Sequence, residues 1–97
     1  MQGPIYKFYR LRATEAFYAL TQAERDALLA KIGELQVQHG VKTIVTCNSS
    51  WHDERWMNFG LEEFPDMQTV VNYTAALLDL GLFRYVDSET MLGTAAT

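Results

Sequence analysis

The sequence is poor in cysteine and proline, with one and two, and it carries only eight Lys and Arg against twelve Asp and Glu. A single thiol, Cys47, permits no intrachain disulfide and no cysteine-based metal site. Lone cysteines near a strand end are usually buried and inert. The net charge of -4 and the shortage of cations argue against a nucleic-acid partner, because phosphate neutralisation needs clustered Lys and Arg. Lys7, Arg10 and Arg12 form the one basic group, which is too small for that footprint. No apolar run nears the roughly 18–20 residues of a membrane span, so no membrane partner is expected. No charged segment leading into an apolar stretch opens the sequence. A secretory signal is therefore not expected, and the cytoplasm is the default compartment. A glycine-rich phosphate loop, a nucleotide fingerprint and a serine-nucleophile elbow are all missing. Kinase, nucleotide-dependent dehydrogenase and serine-hydrolase chemistry are set aside on that ground. Internal repeats, low-complexity stretches and linkers are also missing.

What is present reads as one ordinary globular domain over residues 1–97, with 48% hydrophobic and 21% charged residues. A chain this short buries about 60–70% of its unfolded surface, so a further interface would help it. Two helices carry capping signals. Thr21 and Glu24 have the spacing of a capping box, and Gly40 ends the helix that follows, at about His39. Its apolar stripe is Leu28, Ile32 and Leu35, widened by Leu29. Asp66, after Pro65, caps a second helix that Gly81 terminates. Its stripe is Met67, Val70, Val71, Thr74, Leu77 and Leu78.

Four strands surround these helices. Ile5 to Ala13 alternates Ile5, Lys7, Tyr9 and Leu11 against Tyr6, Phe8, Arg10 and Arg12, with aromatics on both faces. Thr14 to Leu20 is a connection. Val41 to Cys47 is rich in β-branched residues and alternates Val41, Thr43, Val45 and Cys47 against Lys42, Ile44 and Thr46. Asn48 to Arg55 is a hairpin loop without a two-residue turn signature. Trp56 to Glu63 alternates Met57, Phe59 and Leu61 against Trp56, Asn58, Gly60 and Glu62. Leu82 to Tyr85 leads into a last strand over about Val86 to Leu92, and the tail from Gly93 to Thr97 is expected to fray. The order β-α-β-β-α-β is that of the ferredoxin-like α+β fold: a four-stranded antiparallel sheet with two helices on one face. Met57, Phe59 and Leu61 are expected to meet the helices, and Trp56 and Asn58 to lie on the bare face. From the first strand, either the Tyr6 set or the Lys7 set shares that bare face. Either is too aromatic to leave in water, so the expected partner is a second copy, closing a homodimeric barrel around a partly polar cavity.

The helix start Phe17-Tyr18-Ala19-Leu20-Thr21-Gln22-Ala23-Glu24-Arg25 resembles the aromatic-x-Ala-Leu-Ser/Thr-x-x-Glu-Arg start of darcynin-like proteins, small members of the dimeric α+β barrel superfamily. Leu82-Phe83-Arg84-Tyr85 before a strand is also similar to that group, with tighter spacing, and the order of elements agrees over nearly the whole chain. The resemblance implies a dimeric barrel. It implies no single reaction, since that superfamily includes cofactor-free monooxygenases, polyketide cyclases, lactone isomerases, haem enzymes and plain binding modules.

Candidate chemistry gathers in the loop from Asn48 to Trp56, which holds Trp51, His52, Asp53 and Glu54. His52 has the residue type of a general base near neutral pH, with Asp53 or Glu54 to orient its ring. The bland alternative is a solvated hairpin tip. His52, Asp53 and Glu54 have no recognised metal-ligand spacing. His39 or His52 is the candidate axial ligand if the protein binds haem, but His39 lies in the last turn of a helix, where it suits capping. Arg10 and Arg12 can hold a carboxylate or enolate oxygen, or else pair with Glu62 or Glu89. Tyr6, Phe8, Tyr9, Asn48, Trp51, Trp56, Asn58 and Glu62 complete the expected ligand-binding set. The expectation is a protein that binds a hydrophobic, aromatic or polyketide-like small molecule, or a cofactor-independent enzyme acting on one. The alternatives are a binding module without chemistry and a haem-binding barrel.

Overall fold

In a computed structural model, residues 3–96 are described. The elements in chain order are β1 (Ile5–Ala13), α1 (Glu15–Tyr18), α2 (Gln22–Gln38), β2 (Lys42–Asn48), β3 (Asn58–Phe64), α3 (Met67–Leu80), a 3-10 turn (Leu82–Arg84) and β4 (Val86–Gly93). The sheet has the order β2-β3-β1-β4 and is antiparallel throughout. This is the expected ferredoxin-like α+β arrangement, with one short helix, α1, inside the connection from Thr14 to Leu20. Residues 94–96 follow β4 without regular structure, and Thr97 lies outside the described residues. No helix among the described residues is long and apolar enough to cross a membrane.

The helix ends form as their local chemistry dictates. The Glu24 amide donates to the Thr21 hydroxyl at 3.2 Å, and the Thr21 amide donates to the Glu24 carboxylate at 2.8 Å. Two otherwise unpaired donors at the helix start are thereby satisfied. The Thr69 amide donates to the Asp66 carboxylate at 2.8 Å. Gly40 and Gly81 take the left-handed conformation, with φ of 65° and 82°, that stops α2 and α3.

Ile5 and Phe64 face each other across β1 and β3 and are fully buried. Val70, Tyr73 and Leu77 of α3 complete the core, and Ile32 and Leu35 of α2 pack against it. Both long helices therefore cover the same side of the sheet. Because side chains alternate along a strand, that side carries Ile5, Lys7, Tyr9 and Leu11 of β1. Opposite them stand Phe64, Glu62, Gly60 and Asn58 of β3.

This reverses the expected orientation of β3. Phe59 and Leu61 lie on the bare side, Met57 precedes the strand, and Asn58 faces the helices. The physical reason is Phe64, one residue beyond the expected strand end. It is completely buried, and its parity draws Glu62, Gly60 and Asn58 inward with it. β2 contains a register shift between Thr43 and Val45, so Val45 pairs with Leu61 while Thr43 pairs with Glu62. The single alternation expected for this strand does not hold. α3 is apolar around much of its circumference. Val70, Tyr73 and Leu77 are the residues that go inward, while Met67, Val71 and Leu78 of the expected stripe stay exposed, as does Leu29 of α2.

Gly60 has a steric reason to be glycine. A Cβ there would lie 2.6 Å from the Tyr9 hydroxyl, 2.7 Å from its ring carbon Cζ and 2.8 Å from the Val45 carbonyl oxygen. Tyr9 uses the bare backbone of Gly60 as its floor. Gly60→Ala is expected to destabilise the fold by about 1–3 kcal/mol through overpacking, read as a lower urea midpoint; an unchanged midpoint would mean that Tyr9 is not clamped there.

Candidate functional site

The bare side of the sheet carries a central row of Tyr6, Phe8, Arg10 and Arg12 on β1. It is flanked by Leu61 and Phe59 on β3 and by Met91, Glu89 and Asp87 on β4. The register that the sequence left open is thus the Tyr6 register. Phe8 and Phe59 are both more than a third exposed, with ring centroids 6.2 Å apart. Arg10 donates through Nε to Glu89 at 2.8 Å, and its Nη2 reaches the same carboxylate oxygen. Arg12 Nε lies 3.4 Å from an Asp87 oxygen. These are cross-strand pairs on a wet surface. Of the two acids expected as partners for the arginines, Glu89 takes Arg10, whereas Glu62 lies on the other side of the sheet.

Trp56 organises this end of the face. It belongs to the loop between β2 and β3 rather than to a strand. Its indole lies 4.1 Å from the Arg10 guanidinium carbon and 5.5 Å from that of Arg12. Cation–π attraction suits both contacts. The loop is tied down by buried Ser49, whose hydroxyl donates to the Trp56 carbonyl at 3.1 Å and whose amide donates to the Met57 carbonyl. The Met57 amide donates to the Leu11 carbonyl at 2.8 Å, which stitches the loop to β1. Asn48 turns the chain: its side-chain oxygen accepts from the Ser50 amide and hydroxyl, and its carbonyl accepts from the Trp51 indole.

Two clefts open beside Trp56. One, of about 220 Å³, is lined by Phe8, Arg10, Ser49, His52, Asp53, Trp56 and Phe59. The other, of about 400 Å³, lies among Arg12, Tyr18, Ser50, Glu54, Arg55, Trp56 and Met57. His52 borders the smaller cleft, with its ring 5.5 Å from that of Trp51, which stands exposed at the loop tip. Asp53 does not serve as its orienter. The Asp53 carboxylate accepts from the Arg55 amide at 2.9 Å and from the Arg55 guanidinium at 3.1 and 3.2 Å. Those bonds hold Asp53 below the usual carboxylate range. Tyr6 sits at the far end of the row, where a hydrogen bond with Glu63 pushes its phenol up.

The remaining expected residues, Tyr9, Asn58 and Glu62, are on the opposite side, beneath the helices. There they meet residues that sequence reasoning did not single out. Glu62, 4% exposed, lies 3.8 Å from Lys7 and accepts from the Gln36 side-chain Nε2 at 3.0 Å. Lys7 Nζ stands 5.9 Å from the Phe64 ring and 5.7 Å from the Tyr73 ring. Burial pushes the Lys7 ammonium down, and Glu62 offsets this in part. Burial pushes the phenols of Tyr9 and Tyr73 up, and the Glu62 charge adds to both shifts. A buried charged pair of this kind is costly to desolvate and strongly destabilising to break. The available signal was parity: Lys7 shares a row with Ile5 and Tyr9, and Glu62 shares one with Phe64. His39 caps its helix through Nδ1, 2.9 Å from the Leu35 carbonyl, and its ring packs on Tyr73.

The sequence matches no protein-family model and no curated protein. Among solved structures, the chain is similar to a protein of unknown function from Rhodopseudomonas palustris. The TM-score is 0.71 at 18% identity, over 100% of this chain and 85% of that one. It is also similar to SnoaB, a cofactor-independent oxygenase from Streptomyces nogalater. There the TM-score is 0.63 at 14% identity, over 98% of this chain and 95% of that one. The likeness is one of fold. It covers the whole four-stranded α+β unit.

The phenol beneath the helices sets a pH signature. The Tyr73 pKa is raised above its unfolded value near 10.0. Its contribution to stability is therefore complete below about pH 10 and is lost as pH rises toward the folded value. Lys7, shifted down, acts in the opposite sense. Tyr73→Phe should flatten the alkaline limb of the stability curve, by up to about 1.4 kcal/mol per pH unit above pH 10. Urea titrations at pH 8 to 11 would read this, and parallel limbs in the two proteins would refute it.

Proposed function

We propose that this chain is a homodimeric α+β barrel that binds a hydrophobic, planar small molecule on the helix-free side of its sheet and acts on it without a cofactor. The observation that carries the reading is the cleft where Phe8, Phe59 and Trp56 form aromatic walls around Arg10, with His52 at the rim. Concave sites with apolar walls and a few convergent polar groups are the usual form of small-molecule sites. Support for the dimer comes from the same face. Phe8, Phe59, Val45 and Met91 are exposed together on adjacent strands, and a contiguous apolar patch of this kind favours coverage by a partner. A second copy is the simplest cover, and the darcynin-like helix start agrees with it. SnoaB, similar in fold, is itself described as a cofactor-independent oxygenase.

In this reading His52 removes a proton from an acidic position of the ligand, and Arg10 or Arg12 holds the enolate charge that develops. Trp56 and Phe8 set the plane in which the ligand lies. Tyr9, Asn58 and Glu62 act from beneath the sheet, on its stability rather than on the ligand. A second reading, a binding module without chemistry, is favoured by one observation: Arg10 and Arg12 are already paired with Glu89 and Asp87.

Native mass spectrometry of the purified protein tests the first reading, because it reports oligomer and retained ligand together. A dimer is expected, and Phe8→Glu should shift it to monomer by placing two charges in the seam; a well-folded monomer for the parent chain at micromolar concentration would sink the proposal. With a turned-over substrate in hand, His52→Ala should lower kcat by about 10²–10⁴-fold. Unchanged turnover would remove His52 from the mechanism.

A further inference from the structure

Resting on that reading of the Arg10 cleft, the charge around the cleft narrows the class of ligand. Arg10 presents five N–H donors in a planar fork, and the two bonds seen here both end on one oxygen of Glu89. In the single chain the two side chains are 43% and 60% exposed, and a pair so placed has small net value, so an incoming anion can replace its carboxylate. The guanidinium itself is not loose. Its carbon lies 4.1 Å from the centre of the Trp56 indole, and the loop carrying that indole is anchored by Ser49. A rigidly placed cation is therefore held by a weakly bound, replaceable carboxylate at the edge of an aromatic slot.

The other charges nearby do not supply an equivalent cation. Asp53, on the cleft wall, is taken by Arg55. Arg12 does not line this cleft; it pairs with Asp87 and borders the larger opening. One planar cation beside three aromatic rings fits a ligand with one planar anionic group on a ring. A phosphate, which favours several convergent donors, fits less well.

We infer that the Arg10 cleft takes a planar aromatic carboxylate, whose anionic group displaces Glu89 from the guanidinium while its ring lies against Phe8, Phe59 and Trp56. Glu89 is then an internal competitor for the ligand's place. Its cross-strand bonds to Arg10 set the threshold that an incoming anion must exceed. Neutral aromatics of the same shape gain the walls but not the fork.

The test is isothermal titration of the intact protein with two probes of matched shape, 1-hydroxy-2-naphthoate and 1-hydroxy-2-naphthamide. The carboxylate should bind about tenfold more tightly or better, the size expected of a hydrogen bond to a charged group. Glu89→Gln should widen that ratio, by roughly threefold or more, because the competitor is gone. Arg10→Gln should bring the ratio close to one, and Arg10→Lys should restore only part of it, since Lys lacks the fork. Both arginine variants lie on the surface, and circular dichroism confirms their folding. Equal binding of the two probes by the parent protein overturns the inference and leaves the aromatic cleft standing, as does a Glu89→Gln ratio that stays the same or narrows. Binding of neither probe overturns the cleft reading and the inference together.

Discussion

The register between β1 and β3 governs everything else in this protein. Ile5 opposite Phe64 sets it, and both side chains are sealed under α3. From that pair upward, every second residue of the central strand is committed to one side or the other. A slip of one residue would put Arg10 under the helices and Tyr9 into water. Gly60 reinforces the choice, because the Tyr9 ring needs a position without a Cβ opposite it. Central placement doubles the constraint, since β1 is bonded to β3 on one edge and β4 on the other.

Given that register, the sheet carries two unlike chemistries back to back. Beneath the helices, Lys7, Glu62, Gln36, Tyr9 and Tyr73 form a buried polar group in which opposite charges compensate each other. Such groups add little net stability, yet losing one member strands the other in a poor solvent for charge. On the bare side, Arg10 and Arg12 share one indole and pair with two exposed acids, all within reach of water. The inner group resists change, while the outer one can exchange partners at low cost. This difference between the two sides is why the proposed site is put on the helix-free one.

Legibility in the sequence was uneven, and the unevenness has causes. Local signals were read correctly because they act over three or four residues: the Thr21–Glu24 capping box, the Asp66 cap, and the stops at Gly40 and Gly81. The order of elements followed from them. The facing of β3 did not. Met57, Phe59 and Leu61 are the most apolar alternation in that segment, and the hydrophobic rule sends them inward. The rule was overruled because Phe64, fully buried, fixes the parity of the strand, and because Glu62 then finds Lys7 and Gln36 beneath the helices. Trp56 was placed in a strand and belongs to a loop. It still reaches the expected arginines, because Ser49 folds the loop back over β1.

By itself the chain of letters determined where the two long helices begin and end, where the four strands lie to within a residue or two, and that aromatic and basic residues alternate along the first strand. Those properties depend on near neighbours, and neighbours are explicit in a sequence. Tertiary structure alone decided which alternate of each strand meets the helices, that Lys7 and Glu62 share a buried pocket across 55 residues of chain, and that Trp56 lies on Arg10. Each of these depends on two distant segments arriving in one register, and the energy that selects the register is spread over the whole core.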